Sequence, residues 1–309
     1  MHVAVCIVGF RNTADVVRCL DALAGSTHAD FEAVICENGG EAAYRALVEA
    51  APAALPGGQP VRLLAAPDNP GYAGGVNRCL AAAPDADAWW VLNPDTVPAP
   101  DALAAMCAHL ESRGQGAVGC TVHYPDGTVE SRGGRWRRWL ARAESLEHSK
   151  RLDDPVDAAA VERTLNYLNG ASMLVGRSFL QRTGPMREDY FLYAEEVEWC
   201  LRGGLAGESL GMAVDARVLH FKGTTTGSIQ DMGSRSRAPV YLDERNKLLL
   251  TRDLFPGLLP VAAPASLMLL FLRFGRRGAW RQLGYGLSGW LAGVRDARGK
   301  PPWLATKPD

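Results

Sequence analysis

Val3-Ala4-Val5-Cys6-Ile7-Val8 is an unbroken apolar run of strand length, the pattern of a strand buried on both faces. Asp15 to Leu23 follows with Val16, Val17, Leu20 and Leu23 at helical spacing. The alternation then repeats: strand Phe31 to Cys36, helix Tyr44 to Ala51, strand Val61 to Leu64, helix Gly75 to Ala82, strand Trp89 to Leu92. Strands separated by helices at these intervals predict parallel βαβ units, hence an α/β fold with a mostly parallel sheet. Asp101 to Glu111, entered through Pro98 and Pro100, reads as a further helix, and Ala117 to Val122 as a strand.

Beyond residue 122 the periodicity weakens. Tyr124-Pro125-Asp126-Gly127-Thr128 reads as a turn. Arg132 to Arg151 is arginine-rich around Trp136 and Trp139, either a solvated helix with its tryptophans packed inward or a surface for an anionic lipid. Gly170 to Val175 returns to strand, Arg177 to Thr183 is a short helix, and Tyr190 to Arg202 is a helix or turn plus helix rich in acids and aromatics. Val218 to Phe221 is strand-like, followed by a polar stretch with Thr224, Thr225, Thr226, Arg235 and Arg237, and Tyr241 to Arg252 is a helix. Leu258 to Leu272 holds fifteen uncharged residues interrupted by Pro260 and Pro264, short of the ~18 to 20 needed to span a bilayer. With Arg273, Arg276, Arg277 and Arg281 behind it, it reads as an interfacial or oligomer-forming element.

The chain has 309 residues, room for one large domain plus an extension, and a net charge of −1, which excludes a general nucleic-acid binder. Its seven cysteines are scattered through apolar runs without a Cys-x-x-Cys. They predict buried, reduced thiols of a cytosolic protein and neither a disulfide frame nor a zinc site. The first residues lack a basic leader with a long apolar core, so no signal peptide is expected.

Candidate chemistry gathers at predicted strand exits. Gly71, Gly74 and Gly75 precede a helix, where backbone amides can face phosphates or a tight turn can serve packing. Asp95, just past the Trp89 to Leu92 strand, is either a ligand for a hard cation or a turn carboxylate. His220 ends another strand and is either a ligand or a core histidine. Glu195, Glu196 and Glu198, among Phe191, Tyr193 and Trp199, are either partly desolvated carboxylates fit for base catalysis or a solvated face paired with Arg202.

Cys36-Glu37-Asn38-Gly39, the run Asp68 to Asn77, Asn93-Pro94-Asp95-Thr96, Gly170-Ala171-Ser172-Met173, Tyr190 to Arg202, His220 and Arg245-Asn246, in this order, resemble inverting glycosyltransferases of family 2. The likeness spans about residues 3 to 250 and leans towards bacterial rhamnosyltransferases and related galactofuranosyltransferases. It implies a GT-A fold over 1–252, with a nucleotide-sugar half (1–122) and an acceptor and catalytic half (123–252). A helical extension over 253–309 would be membrane-associated or oligomer-forming. By the resemblance Glu37 and Asp68 contact the donor base. Gly71, Gly74, Asn77 and Asn93 belong to the donor side, and Arg235 closes over the diphosphate or is a surface charge. Asp95 and His220 hold Mg²⁺ or Mn²⁺. Glu196 is the catalytic base and Glu195 its competitor.

Asn93 stands where many relatives have the first acid of the metal motif, and Glu37 and Glu196 replace the more usual Asp. The expected reaction is a single displacement from a dTDP- or UDP-sugar, dTDP-rhamnose first, to a glycan or lipid-linked hydroxyl in cell-surface polysaccharide assembly. The expected setting is the inner face of the cytoplasmic membrane, peripherally bound, as monomer or homodimer. The competing expectation is a degenerate module that binds nucleotide sugar or a partner without transfer.

Overall fold

The computed structural model describes residues 1–221 and 233–304; Thr224, Thr225 and Thr226 lie outside them. The first half runs β1 (Val3–Gly9), α1 (Thr13–Leu23), β2 (Phe31–Glu37), α2 (Glu41–Ala50), β3 (Val61–Ala65), α3 (Gly71–Ala82) and β4 (Ala88–Leu92). Next come β5 (Thr96–Pro98), α4 (Ala102–Arg113), β6 (Ala117–His123) and β7 (Val129–Ser131). A hairpin of β8 (Gly134–Arg137) and β9 (Arg142–Ser145) leads to α5 (Ala158–Thr164), β10 (Ser172–Gly176), α6 (Arg177–Thr183), α7 (Glu195–Leu205) and β11 (Leu210–His220). Three helices close the chain: α8 (Arg237–Leu254), α9 (Leu259–Phe274) and α10 (Trp280–Val294).

The central sheet has the order β3-β2-β1-β4-β10-β6-β11-β5, with β7 on β6. Its first four strands are parallel, as their helical crossovers require. Beyond β4 the sheet is mixed: β10 runs antiparallel to both β4 and β6, while β11 is parallel to β6 and antiparallel to β5. Helices cover both faces. Ala4, Cys6 and Val8 of β1 enter one core, and Val3, Val5 and Ile7 the other, which is why that strand is apolar throughout. All seven cysteines are buried and unpaired. Burial pushes the thiols of Cys19, Cys36, Cys107, Cys120 and Cys200 up to about 12, so they remain protonated and inert.

Two expectations change. The arginine-rich stretch is no helix: β8 alternates buried and exposed, so Trp136 faces in, while Trp139 stands 59% exposed at the turn. Arg132 is buried, donating to Thr121 Oγ1 and the Leu152 carbonyl. The apolar run is longer than its uncharged residues suggest, because a continuous helical stretch, Pro256–Arg277, extends it to 22 residues. By length and composition it suffices to cross a membrane, and little of it is buried. Pro260 sits in the first turn, where no amide partner is needed, and Pro264 forfeits a single bond one turn later. The helical extension expected over 253–309 is completed by α10, packed on α8 through glycines. A Cβ on Gly289 would lie 2.2 Å from the Tyr241 carbonyl and one on Gly293 2.7 Å from that of Arg245. Gly-rich composition hides such a helix from propensity.

Candidate active site

A cavity of about 510 Å³ opens where β1 and β4 end, between Val8, Asn93 and Asp95 on one side and Gly170, Glu195 and Glu196 on the other. Antiparallel pairing of β11 with β5 sets His220 opposite Thr96 and so beside Asp95. His220 Nε2 lies 3.2 Å from Asp95 Oδ1, and Nδ1 lies 2.7 Å from Glu130 Oε2 on β7. All three residues are buried. Burial would lower the imidazole pKa, but hydrogen bonds and charges from Asp95 and Glu130 outweigh it and hold His220 up at about 9.

The same donors fit a divalent cation. Glu130 takes the Nδ1 proton and orients the ring, leaving the Nε2 lone pair directed to the Asp95 side, the arrangement that carboxylates behind metal-ligating histidines create. Among the described residues no group of three or more His, Cys, Asp or Glu side chains forms a complete metal cage. Asp95 and His220 offer two ligands and leave the rest to water or substrate oxygens, as Mg²⁺ and Mn²⁺ sites for phosphates commonly do.

Across the cavity, Glu195 and Glu196 open α7, where the positive helix end favours carboxylates. The entry is contorted: Phe191, Tyr193 and Ala194 have φ of 68°, 74° and 69°. That bend persists because Asn246 on α8 donates from Nδ2 to the carbonyls of Tyr190, Leu192 and Tyr193 at 3.0, 2.8 and 2.7 Å. Arg245 adds a bond to the Tyr190 carbonyl at 2.8 Å and one to Asn246 Oδ1. Glu195 is 2% exposed with Oε2 unpartnered; burial and then the charge of Glu196 hold its pKa well above the ordinary value. Glu196 is half-buried against Gly170, and burial raises it also, opposed by backbone amides. Glu198 is bonded to Arg202 at 2.7 Å as the sequence allowed, but it is fully buried and lies on no solvated face.

Tyr72 joins the two sides, and the sequence reading passed over it. Its hydroxyl lies 3.0 Å from Asn93 Oδ1 and 2.9 Å from the Gly170 carbonyl, as donor to both. Burial, then the charges of Glu195, Glu196 and Asp95, keep it protonated. The Asn93 carboxamide thus organises the site through Tyr72. Glu130 was also missed: nothing local distinguishes it, since its partner is ninety residues away.

The glycines serve packing. Helix α3 begins at Gly71, so Gly74 lies inside it, away from the cavity lining, where a Cβ would meet Pro70 at 2.5 Å. Gly71 does line the cavity, at φ +83°, and a Cβ there would fall 2.1 Å from the Phe191 carbonyl that accepts the Tyr72 amide. Asn77 does not face the donor side: it brackets Met186 and Glu188. Asp68 is exposed and forked on Arg78 beside Asn69, a lining residue. Glu37 is fully buried; Oε1 accepts from the amides of Arg11 and Gly39, and Oε2 has no partner. Arg235 sits outside the cavity, where burial, with Arg273 nearby, lowers its pKa.

Solved structures share this architecture. A mannosyltransferase, PcManGT, from Pyrobaculum calidifontis in complex with GDP-Man and Mn²⁺ superposes with a TM-score of 0.57 at 16% identity, over 96% of this chain and 88% of that one. S. aureus TarS in complex with UDP-GlcNAc gives 0.53 at 11% identity, over 96% and 92%. These likenesses establish a GT-A type fold. An N-acetylglucosaminyl-diphospho-decaprenol L-rhamnosyltransferase from Mycobacterium tuberculosis is 33% identical over 198 residues, 54% of this chain and 61% of that protein. The match thus spans about three fifths of that relative's length. The family model described as glycosyltransferase-like family 2 matches residues 2–235, and the chain belongs to this family.

Proposed function

We propose that this chain is an inverting, metal-dependent glycosyltransferase that moves a sugar from a nucleotide donor to an acceptor hydroxyl. One observation carries the reading: a single cavity sets the Asp95 and His220 pair opposite Glu196, with the Tyr72 hydroxyl between them. Asp95 and His220 would hold Mg²⁺ or Mn²⁺, which when bound neutralises charge growing on the departing diphosphate. Glu37, buried on the amides of Arg11 and Gly39, would shape the base side of the donor from behind, and Asp68 would reach it only on leaving Arg78.

Glu196 accepts the proton of the attacking hydroxyl, a contribution of about 10² to 10⁴ in rate. Its pKa, raised by burial but opposed by the amides of its helix start, suits a base that must be ionised yet avid for a proton. Glu195, buried deeper, stays neutral and gives the neighbouring charge its asymmetry. The Tyr72 hydroxyl fixes Asn93 and Gly170 in the wall between metal ligands and base. Attack from the side opposite the diphosphate inverts the anomeric centre.

The rhamnosyltransferase relative supports dTDP-rhamnose as the first donor and a lipid-linked acceptor in cell-surface polysaccharide assembly. With such an acceptor we place the chain peripherally on the inner membrane face, as part of this proposal. The test is nucleoside diphosphate release from dTDP-rhamnose, UDP-sugars and GDP-mannose with Mn²⁺ and a lipid-linked acceptor. Release from one donor, lost in Glu196→Gln, is expected. Donor binding without release under any pairing would leave the non-catalytic module standing instead.

A further inference from the structure

A second concavity, of about 420 Å³, lies under the hairpin and is lined by Arg135, Trp136, Arg137, Arg138, Trp139 and Asn166 among others. Its charge is nearly unopposed. Glu144, opposite Arg135 in the strand register, gives its carboxylate to Arg137 at 2.7 Å. Among the described residues Arg135 has no hydrogen-bond or ion-pair partner. Trp136 is 4% exposed, and its indole N–H is buried without an acceptor. Trp136 itself faces the core, so the concavity presents the arginine heads of the hairpin's outer face, a surface that favours an anion.

Two connections give the pocket direction. Arg138 stacks over Phe255 at 5.3 Å, and Phe255 precedes the apolar helical stretch Pro256–Arg277, whose Val261 and Met268 are half exposed. Asn166 accepts the Trp136 amide at 2.7 Å and leads through Tyr167, packed on Gly134, to Gly170 beside Glu196. The hairpin therefore stands between an apolar surface and the base.

We propose that this pocket binds the diphosphate of an isoprenoid-linked acceptor. Arg135 and Arg138 donate to its oxygens. Trp139 sits at the bilayer interface, and the isoprenoid lies along the exposed face of α9. Guanidinium forks match phosphate oxygens, and tryptophan favours the membrane boundary. The inference rests on the glycosyltransferase reading and adds to it where the acceptor is held.

The test uses the full chain on neutral phosphatidylcholine vesicles carrying geranylgeranyl diphosphate, and separately on vesicles carrying phosphatidylglycerol at equal charge. Arg135→Gln with Arg138→Gln should weaken binding to the diphosphate vesicles by about tenfold or more. Free inorganic diphosphate should compete. A separate titration of nucleoside diphosphate with Mn²⁺ should be unchanged in these variants. If the double variant folds poorly, Trp139→Ala, at an exposed turn, gives the same comparison. Unchanged affinity in the variants, or equal binding to and equal loss from phosphatidylglycerol vesicles, would overturn the proposal. Failure of the wild type to bind nucleotide would sink the underlying reading, whereas nucleotide turnover with indifference to prenyl diphosphate sinks this inference alone.

Discussion

Glu195 and Glu196 are adjacent in sequence, yet one peptide step separates a deeply buried carboxyl from a half-buried one, the proposed base. Because Glu195 is buried with an orphaned oxygen, its folded pKa lies well above the 4.5 of an unfolded glutamate. The native state then binds more protons than the unfolded one above pH 4.5, so this group's contribution to stability falls as pH rises towards its folded value. Glu195→Gln should therefore raise stability at pH 8 and leave it nearly unchanged at pH 5, read by urea unfolding, with turnover largely retained. Glu196→Gln should cut kcat by about 10² or more while nucleotide binding persists. With the raised Glu196 as base, the acid limb of kcat/KM should lie above the ordinary glutamate range, and activity should fall as pH drops through it.

At the level of elements, the start of α7 is the part most dependent on distant support. Three non-glycine residues in left-handed conformation cost roughly 1 to 3 kcal/mol each when unsupported. Asn246 answers three carbonyls of that bend with one amide group. Asn246→Ala should destabilise the protein by about 2 to 3 kcal/mol and lower kcat more than nucleotide affinity, because the helix carrying Glu196 loses its seat. Chemical unfolding together with steady-state kinetics checks both. Gly71→Ala strikes the same junction from the other side, where a Cβ would displace the Phe191 carbonyl from the Tyr72 amide.

For the whole molecule, the cluster of Asp95, His220 and Glu130 exists because the sheet order places β11 between β6 and β5 while β7 adds on to β6. Removing metal with a chelator should abolish transfer, and Mn²⁺ should restore it. Glu130→Gln, which leaves Asp95 and His220 in place, should weaken Mn²⁺ affinity by about 10- to 100-fold, measured by metal titration of nucleotide binding. Sequence periodicity alone was enough for the parallel half, since strands buried on both faces are apolar throughout and their helices carry one apolar stripe. It also marked Asp95, His220 and Glu196, whose types announce chemistry. Their contacts were not legible: Tyr72 and Asn246 lie in runs that the resemblance named, but with Glu130 they act across separations of 21 or more, 53 or more and 90 residues, and no local pattern encodes such a contact. Packing glycines and phosphate-facing glycines look alike in sequence, and only the approach of Phe191 and Pro70 separates them. The sequence by itself determined which segments are buried and which residues can do chemistry, because both are properties of single side chains and their spacing. The tertiary structure alone decided which of them meet, because a pKa, a metal site and a base are properties of neighbours.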